Sequence, residues 1–113
     1  MKNILENEVI YITGASAGIG YATAELCLSY GATVVITGRN VDNLDKANQE
    51  LLKISSKVIS HNVDVSNESE IVDSLQEIHT SFGKVDGLIN NAPSIHTGKI
   101  IDLDLDAWRT NFK

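Results

Sequence analysis

Residues 9–20 read VIYITGASAGIG, an apolar run that leads into a turn containing three glycines. The first four residues are apolar, which is typical of a strand buried on both faces of a parallel sheet. After the glycines the period changes, and apolar side chains recur at helical spacing. They are Ile19, Ala22, Leu26 and Tyr30. Gly31 follows, where a left-handed residue commonly ends a helix, so the stretch predicts a strand, a tight turn and a helix.

The same alternation is predicted along the rest of the chain. Residues 33–37 repeat the pattern of a buried strand, residues 57–60 predict a weaker strand, and residues 87–90 predict a fourth. The helix after the second strand has an apolar face. It consists of Val41, Leu44, Ala47 and Leu51. The next helix, begun by Ser66 or Asn67 and ended by Gly83, has a face of its own. It consists of Ile71, Val72, Leu75, Ile78 and Phe82.

Strands that alternate with helices of this length predict parallel pairing, because a parallel connection must cross back over the sheet. The fold class is therefore expected to be α/β, with a doubly wound parallel sheet and one domain over residues 1–113. After the fourth strand the pattern is interrupted by a polar loop. Asp104 or Asp106 could then cap a further helix that would be unfinished at Lys113.

Composition and charge restrict the classes of partner. Fifteen acidic and nine basic residues give a net charge of −6, so a nucleic acid is an unexpected partner. No stretch has the length and apolarity of a signal peptide or a membrane span, and a cytoplasmic protein is expected. The single cysteine, Cys27, is expected to be a small packed side chain. The three histidines are scattered, which favours surface or packing roles over a metal site.

The glycine-rich turn is the strongest functional signal in the sequence. It lies between a strand and a helix, where backbone N–H groups and the helix N-terminus can bind a pyrophosphate. Gly14 would permit the sharp turn, Gly18 would leave room for the phosphates, and Gly20 would let the helix pack closely on the strand. The alternative is a turn in which glycine only relieves strain. A triphosphate-binding P-loop is excluded because no Gly-Lys-Ser/Thr follows.

The spacing G-x-x-x-G-x-G, preceded by Thr13 and containing Ile19, resembles the motif of the classical short-chain dehydrogenase/reductase family. That resemblance covers essentially the whole chain, but only about half of the family's usual domain. It implies a Rossmann-type sheet, truncated here after the fourth strand, and an NAD(P)-dependent oxidoreductase. It also implies that one segment holds the pyrophosphate. The residues concerned are Gly14, Ser16, Ala17, Gly18, Ile19 and Gly20.

The end of the second strand indicates which dinucleotide is bound. A carboxylate there would bind the ribose 2′-hydroxyl of NAD, whereas an arginine accommodates the 2′-phosphate of NADP. Residues 37–40 contain no carboxylate, and Arg39 can pair with a phosphate. We therefore expect Arg39 and Asn40 to bind the 2′-phosphate and NADP to be the cofactor, with NAD as the alternative because Asp42 follows. Arg39 could instead be an ordinary surface residue beside a helix start.

Two further cofactor contacts follow from the resemblance alone. Asp64 and Val65, after the third strand, match the pair that binds the adenine, and Asn91 matches the second asparagine of the Asn-Asn-Ala-Gly signature that lines the ribose. Asp64 could equally be a turn or cap residue. Asn91 could serve only to tie strand ends together. Pro93 replaces the glycine of the signature and is expected to alter the contacts beside the nicotinamide ribose.

No catalytic residue is predicted in this chain. By resemblance, catalysis requires a tyrosine and a lysine four residues later, but Ala15, Glu25 and Val34 stand four residues after the three tyrosines. Asn111 is at the wrong offset from Trp108 for the family's asparagine. The chain is therefore expected to bind a dinucleotide without turnover, and the small-molecule carbonyl or alcohol would bind only to the full-length form. A non-catalytic interaction module or a degenerate gene fragment is the alternative.

The absent half bears on stability as well. In the family, the helices that would follow also build the dimer interface, so a homo-oligomer is a possible assembly. An unpaired apolar edge on a parallel sheet favours aggregation. The isolated chain is therefore expected to be marginally stable or to need a partner.

Overall fold

The computed structural model describes residues 3–91. It contains four strands and three helices in strict alternation. They are β1 (Val9–Thr13), α1 (Gly18–Ser29), β2 (Thr33–Gly38), α2 (Val41–Leu52), β3 (Val58–Asn62), α3 (Glu68–Phe82) and β4 (Gly87–Asn90). The predictions for Pro93 and for the helix near Trp108 lie outside the described residues.

All four strands pair in parallel, in the order β3-β2-β1-β4. This confirms the predicted α/β class and the Rossmann-like parallel sheet. The chain passes from β1 outward to β3 and then returns across the sheet to place β4 on the other side of β1. No helix among residues 3–91 is long and apolar enough to span a membrane.

The sheet has a buried cluster on each face, because successive side chains of a strand point in opposite directions. Ile12, Val34 and Ile36 belong to one cluster, together with the buried residues of α1 and α2. Tyr11 and Val35 belong to the other, together with those of α3. Helices therefore cover both faces, as the doubly wound prediction requires.

Residues with side-chain or backbone capping properties fix the helix boundaries. The side chains of Asn40 and Asn67 accept hydrogen bonds from the backbone N–H groups of the third residue after each, and so begin α2 and α3. Gly31 and Gly83 have φ values of 95° and 79°, in the left-handed region where glycine is favoured at a helix end. The predicted ends at these two glycines are confirmed, and Asn67 is the cap of α3.

The predicted apolar face of α1 is wrong. Ile19 and Leu26 are 78% and 55% exposed, whereas Gly20, Ala24 and Leu28 are the buried residues of this helix. Apolar side chains occur on all sides of α1, so spacing alone could not identify the buried side. The buried residues recur at intervals of four, and two of them, Gly20 and Ala24, are small, which lets the helix pack closely against the strands. Ala22 is on the exposed side.

Two further predicted face residues are also exposed, and both are at helix ends. Val41 is the first residue of α2 and is 51% exposed, and Phe82 is the last residue of α3 and is 40% exposed. In α2 the buried residues run only from Leu44 to Leu51. The terminal residues thus lie beyond the part of each helix that covers the sheet.

Candidate functional site

The candidate site lies at the carboxyl ends of the parallel strands, next to the point where the strand order reverses. From β1 the chain continues to β2 on one side, while β4 pairs with β1 on the other. The carboxyl ends of β1 and β4 therefore lie side by side, at the point where a doubly wound sheet has its crevice. Ligands of open α/β sheets bind in crevices at such reversal points.

The glycine-rich turn begins this crevice, with two glycines in backbone conformations that other residues rarely adopt. Gly14 and Gly18 have φ values of 66° and 67°. A Cβ added at Gly18 would meet no atom within 4 Å, so open space lies in front of it. Ala15 is fully buried, and its N–H donates to the carbonyl oxygen of Thr37 at 3.2 Å. The turn is thereby fixed against the end of β2.

Gly20 is required by the close approach of two neighbouring groups. A Cβ there would lie 2.6 Å from the side-chain nitrogen of Asn91 and 2.6 Å from the carbonyl oxygen of Gly14. The sequence predicted that Gly20 allows close packing between helix and strand. The contacts show that the space is used by the turn itself and by the residue that follows β4.

Helix α1 begins without the side-chain cap that the other two helices have. Its N-cap residue is Ala17, in an extended conformation, and no side chain accepts a hydrogen bond from the first turn. The first N–H groups of a helix need partners and carry the positive end of the helix dipole. These N–H groups therefore face the crevice ready for an acceptor from outside the helix.

Residues after β4 are hydrogen-bonded to the glycine turn. The N–H of Asn91 donates to Thr13 Oγ1 at 2.9 Å, and its side-chain amide donates to the carbonyl oxygen of Gly14 at 3.2 Å. Thr13 Oγ1 in turn donates to Asn90 Oδ1 at 3.0 Å. Asn91 thus ties the two strand ends together, as the structural alternative anticipated. The Oδ1 atom of Asn91 takes no part in these two hydrogen bonds, so it is the atom that can accept from a ribose hydroxyl.

Two of the predicted cofactor residues, Arg39 after β2 and Asp64 after β3, lie close to each other. Asp64 accepts hydrogen bonds from the hydroxyl and the N–H of Ser66, and these bonds, with the nearby charge of Arg39, hold the pKa of Asp64 below its ordinary value. The side chain of Asn62 donates to the carbonyl oxygens of Gly38 and Arg39 at 2.8 and 3.1 Å. The ends of β2 and β3 therefore form one hydrogen-bonded unit.

Asn40 and Val65 have structural contacts of their own. Asn40 Oδ1 accepts a hydrogen bond from the N–H of Asn43 at 3.0 Å and caps α2. This leaves the amide nitrogen of Asn40 as the group that can donate to a ligand. Val65 is partly buried and packs against the cluster under α3, so its backbone is held firmly at the end of β3.

A groove of about 410 Å³ runs from the glycine turn between α1 and α2. It is called the α1–α2 groove below. Its lining residues are Ser16, Ala17, Gly18, Tyr21, Asn43, Lys46, Ala47 and Glu50. The contribution of α2 to this groove was not predicted from the sequence. The spacing of Asn43, Lys46 and Glu50, at intervals of three and four, places them on one helix face and could have indicated it.

A second polar arrangement was also missed. The hydroxyl of Tyr11, which is fully buried, donates to Ser74 Oγ at 2.7 Å, and Ser74 Oγ lies 2.6 Å from His61 Nδ1. His61 Nε2 lies 3.4 Å from a carboxylate oxygen of Glu77 at the surface. The chain of contacts provides hydrogen bonds to polar groups under α3. It lies on the face of the sheet opposite to the α1–α2 groove.

The remaining side chains with reactive or metal-binding groups offer few candidates for a functional site. Cys27 is partly buried, and burial raises the pKa of its thiol, so it is a packed side chain with little thiolate. Among residues 3–91, no three histidine, cysteine or acidic side chains lie together in a way that could hold a metal ion. Within that range, the crevice at the glycine turn has the strongest ligand-binding geometry.

Comparison with known proteins gives a consistent result. A sequence model of the family described as short chain dehydrogenase matches residues 8–113. An uncharacterized oxidoreductase of Staphylococcus aureus (strain N315) is 36% identical over 105 residues. This match covers 93% of the chain but 45% of the relative. The chain therefore spans about half the length of this relative.

Two solved structures are similar to the chain in fold and sequence. L-sorbose reductase from Gluconobacter frateurii, complexed with NADPH and L-sorbose, is 38% identical, with a TM-score of 0.74 over 83% of this chain and 36% of that chain. NAD⁺-bound xylitol dehydrogenase is 28% identical, with a TM-score of 0.77 over 81% of this chain and 35% of that chain. The described parallel sheet is thus similar to structures solved with either nicotinamide dinucleotide.

Proposed function

Because the chain belongs to the short chain dehydrogenase family, we propose that it is the NADP(H)-binding half of an oxidoreductase. The full-length form would reduce carbonyl compounds or oxidise alcohols. The nicotinamide, when bound, would accept or supply the hydride. The residues of this chain would bind and orient the dinucleotide.

The observation that carries the proposal is the uncapped start of α1 beneath the glycine turn. Ala17 has no side chain that could accept a hydrogen bond, and open space lies in front of Gly18. A pyrophosphate in that space would accept from the first N–H groups of α1 and would neutralise the positive end of the helix. α2 and α3 have asparagine caps and do not offer this arrangement.

Each remaining part of the dinucleotide has a proposed partner near the glycine turn. Gly14, Ser16, Ala17, Gly18, Ile19 and Gly20 would surround the pyrophosphate. Asp64 and the backbone of Val65 would bind the adenine from the end of β3. Asn91 Oδ1 would accept from a ribose hydroxyl, since its amide nitrogen already donates to Gly14.

The preference for NADP rests on Arg39 and Asn40 at the end of β2. Arg39 is exposed there, residues 37–40 contain no carboxylate, and the side-chain nitrogen of Asn40 can donate while its oxygen caps α2. The L-sorbose reductase that is 38% identical was solved with NADPH. Xylitol dehydrogenase was solved with NAD⁺, so the family relationship by itself is compatible with either cofactor.

We propose that the 113 residues alone do not catalyse hydride transfer. None of the three tyrosines is followed four residues later by a lysine. A tyrosine that donates or accepts the proton in such a reaction needs a neighbouring cation to lower its pKa. Tyr21 has the opposite environment, because burial and the carboxylates of Glu25 and Glu50 raise its pKa.

The test is a titration of the 113-residue chain with NADPH and NADH, followed by cofactor fluorescence. We expect NADPH to bind more tightly, and Arg39→Gln to weaken NADPH binding about tenfold, the loss of one charge-assisted contact, with little effect on NADH. Lys57→Gln is the matched control, since it removes one exposed positive charge at the start of β3.

The two cofactors give distinguishable outcomes. Tighter binding of NADH by the unmodified chain would overturn the NADP assignment but keep a dinucleotide site. Failure of a folded sample to bind either cofactor at millimolar concentration would contradict the binding proposal and favour a degenerate gene product. Turnover of any carbonyl substrate by this chain would contradict the assignment of catalysis to residues outside it.

A further inference from the structure

The α1–α2 groove contains a lysine that none of the predicted cofactor contacts uses. From the residues around it, we infer that Lys46 and Asn43 form, with Ser16, a pocket for the 2′-phosphate of NADP. On this assignment α2 contributes to the choice between NADP and NAD, in addition to Arg39. The inference rests on the proposed function, since it names residues that would bind one phosphate of the proposed cofactor.

The position of Ser16 places the opening of the groove next to the end of β2. A Cβ added at Gly38 would lie 3.9 Å from Ser16 Cβ. Gly38 directly precedes Arg39, and Ser16 belongs to the glycine turn. A 2′-phosphate bound by Arg39 at the end of β2 would therefore be near Ser16, the residue of the glycine turn that lines the groove.

Two side chains of α2 bring suitable donors to that opening. Asn43 and Lys46 are three residues apart on the helix, so their side chains are neighbours on one face. The backbone N–H of Asn43 donates to Asn40, but its side-chain amide makes no hydrogen bond with residues 3–91. The Ser16 hydroxyl, this amide and the Lys46 ammonium provide three kinds of donor around one cavity.

The distribution of charge makes Lys46 the cation available to an anion in the groove. Within residues 3–91, Lys46 has no carboxylate oxygen within ion-pair distance. Glu50 is the one acidic residue among those lining the groove, and its carboxylate lies 2.8 Å from Lys53 Nζ. Lys53 thus offsets the charge that would otherwise attract Lys46 and repel a phosphate.

Arg39 alone is a less complete phosphate site. Its positive charge is close enough to Asp64 to stabilise that carboxylate. An anion beside Arg39 would therefore also approach a negative charge. A second cation, at Lys46, would offset that repulsion, because hydrogen bonds between a cation and a phosphate are roughly twice as strong as neutral ones. The N-terminus of α2 is not the group that would attract the phosphate, because the carboxylate of Asp42 lies in its first turn.

The test separates the 2′-phosphate from the rest of the cofactor. Binding of adenosine 2′,5′-bisphosphate and of 5′-AMP to the full 113-residue chain is measured by calorimetry, and NADPH and NADH by fluorescence. We expect Lys46→Gln to weaken binding of the bisphosphate and of NADPH about tenfold. Binding of 5′-AMP and NADH is expected to stay within about twofold, because they carry no 2′-phosphate.

Asn43 provides a second, independent variant. Asn43→Asp would place a carboxylate at the opening of the groove and should weaken NADPH binding more than Asn43→Ala does, while sparing NADH. Both Asn43 and Lys46 are exposed on the helix, so these replacements leave the buried cluster unchanged. Circular dichroism of each variant verifies that the fold is retained. Lys57→Gln again controls for loss of net charge.

The possible results of these binding measurements test different parts of the proposal. If Lys46→Gln behaves like Lys57→Gln while Arg39→Gln weakens NADPH binding, the assignment of the 2′-phosphate to residues of α2 is wrong. The proposed function then stands. If Lys46→Gln weakens 5′-AMP and NADPH equally, Lys46 acts on the whole nucleotide and its role in specificity is wrong. If the folded, unmodified chain binds none of the four ligands, the proposed function fails, and the pocket with it.

Discussion

The side-chain amide of Asn91 donates a hydrogen bond to the carbonyl oxygen of Gly14, with 3.2 Å between the two atoms. The two residues are 77 positions apart in the sequence, and they meet because β4 pairs directly with β1. Gly20 lies against both groups, and its missing Cβ leaves the space that they occupy. The glycine turn, the first helix and the residue after β4 are therefore interlocked at the crevice.

This arrangement predicts that Gly20→Ala is strongly destabilising. The added methyl group would lie 2.6 Å from a backbone carbonyl oxygen and from the Asn91 amide nitrogen, so the turn must move. We expect the free energy of unfolding to fall by about 2 kcal/mol, even though alanine is a better helix former than glycine. Denaturation by urea, followed by circular dichroism, measures the change.

Gly18→Ala and Asn91→Ala provide the comparison. Alanine at Gly18 meets no neighbour within 4 Å and is disfavoured only by the positive φ, at a cost of about 1–2 kcal/mol. Asn91→Ala should recover part of the stability lost in Gly20→Ala, because it removes one of the two close contacts. It should recover none of that lost in Gly18→Ala. Equal effects in both backgrounds would contradict the interlocking described above.

Thr13 gives the second prediction, because its hydroxyl accepts from the Asn91 N–H at 2.9 Å and donates to Asn90 at 3.0 Å. Thr13→Val keeps the shape of the side chain but removes these bonds in a buried position. The free energy of unfolding should fall by about 1–2 kcal/mol. Thr23→Val, on the surface of α1, is the control and should change it by less than about 0.5 kcal/mol. Similar losses of unfolding free energy in both variants would show that the hydrogen bonds of Thr13 contribute no more than that of a surface threonine.

The sequence predicted the elements well where the signal is local. The glycines at 31 and 83 act on their own helix ends and are confirmed, and of the two predicted caps for α3, Ser66 and Asn67, the structure has Asn67. The buried face of α3 was also largely correct, since Ile71, Leu75 and Ile78 recur at helical spacing among charged and polar residues that are mostly exposed.

Predictions failed where the answer depends on a neighbour that is distant in the chain. Ile19 and Leu26 are as apolar as the buried Leu28, and only the position of the sheet decides which side of α1 is covered. The same limit applies to the site. The turn and Arg39 carry recognisable local patterns, whereas the approach of Lys46 to Ser16 depends on the packing of α2 beside α1.

Tyr11 and Ser74 illustrate this limit and give the third prediction. Their hydroxyl groups are 2.7 Å apart, across 63 residues, and no sequence pattern links a strand residue to a position in the third helix. Tyr11→Phe should lower the free energy of unfolding by about 1 kcal/mol. Ser74→Ala should lower it further, since Ser74 also contacts His61. The loss of unfolding free energy in the double variant should be smaller than the sum of the two single losses by about 0.5–1.5 kcal/mol.

The matched control replaces Tyr30, which lies at the end of α1 on the other side of the sheet from Ser74. Tyr30→Phe combined with Ser74→Ala should be additive within about 0.3–0.5 kcal/mol, as expected for residues without a shared contact. Additivity of Tyr11→Phe with Ser74→Ala would show that the hydroxyl pair contributes no coupling in solution.

Asp86 gives the last prediction, which concerns acid stability. One carboxylate oxygen accepts from the N–H of Val9 at 2.7 Å and lies 3.0 Å from Lys84 Nζ. Burial tends to raise the pKa of Asp86, but these hydrogen bonds outweigh it and hold the pKa below its ordinary value of 3.8. A depressed pKa in the folded state means that ionised Asp86 stabilises the fold above the unfolded pKa. That contribution is lost as the pH falls through the folded pKa.

Asp86→Asn should therefore lower the free energy of unfolding by about 1 kcal/mol at pH 7, where it removes hydrogen bonds to a charged group. The difference from the unmodified chain should shrink as the pH falls below 4, because Asp86 is then protonated in the unmodified chain as well. Urea denaturation at a series of pH values from 7 to 2 measures both curves. Lys84→Met is the intermediate case, since it removes the cation and leaves the bond from Val9. If the two curves stay parallel down to pH 2, the carboxylate of Asp86 does not stabilise this end of β1.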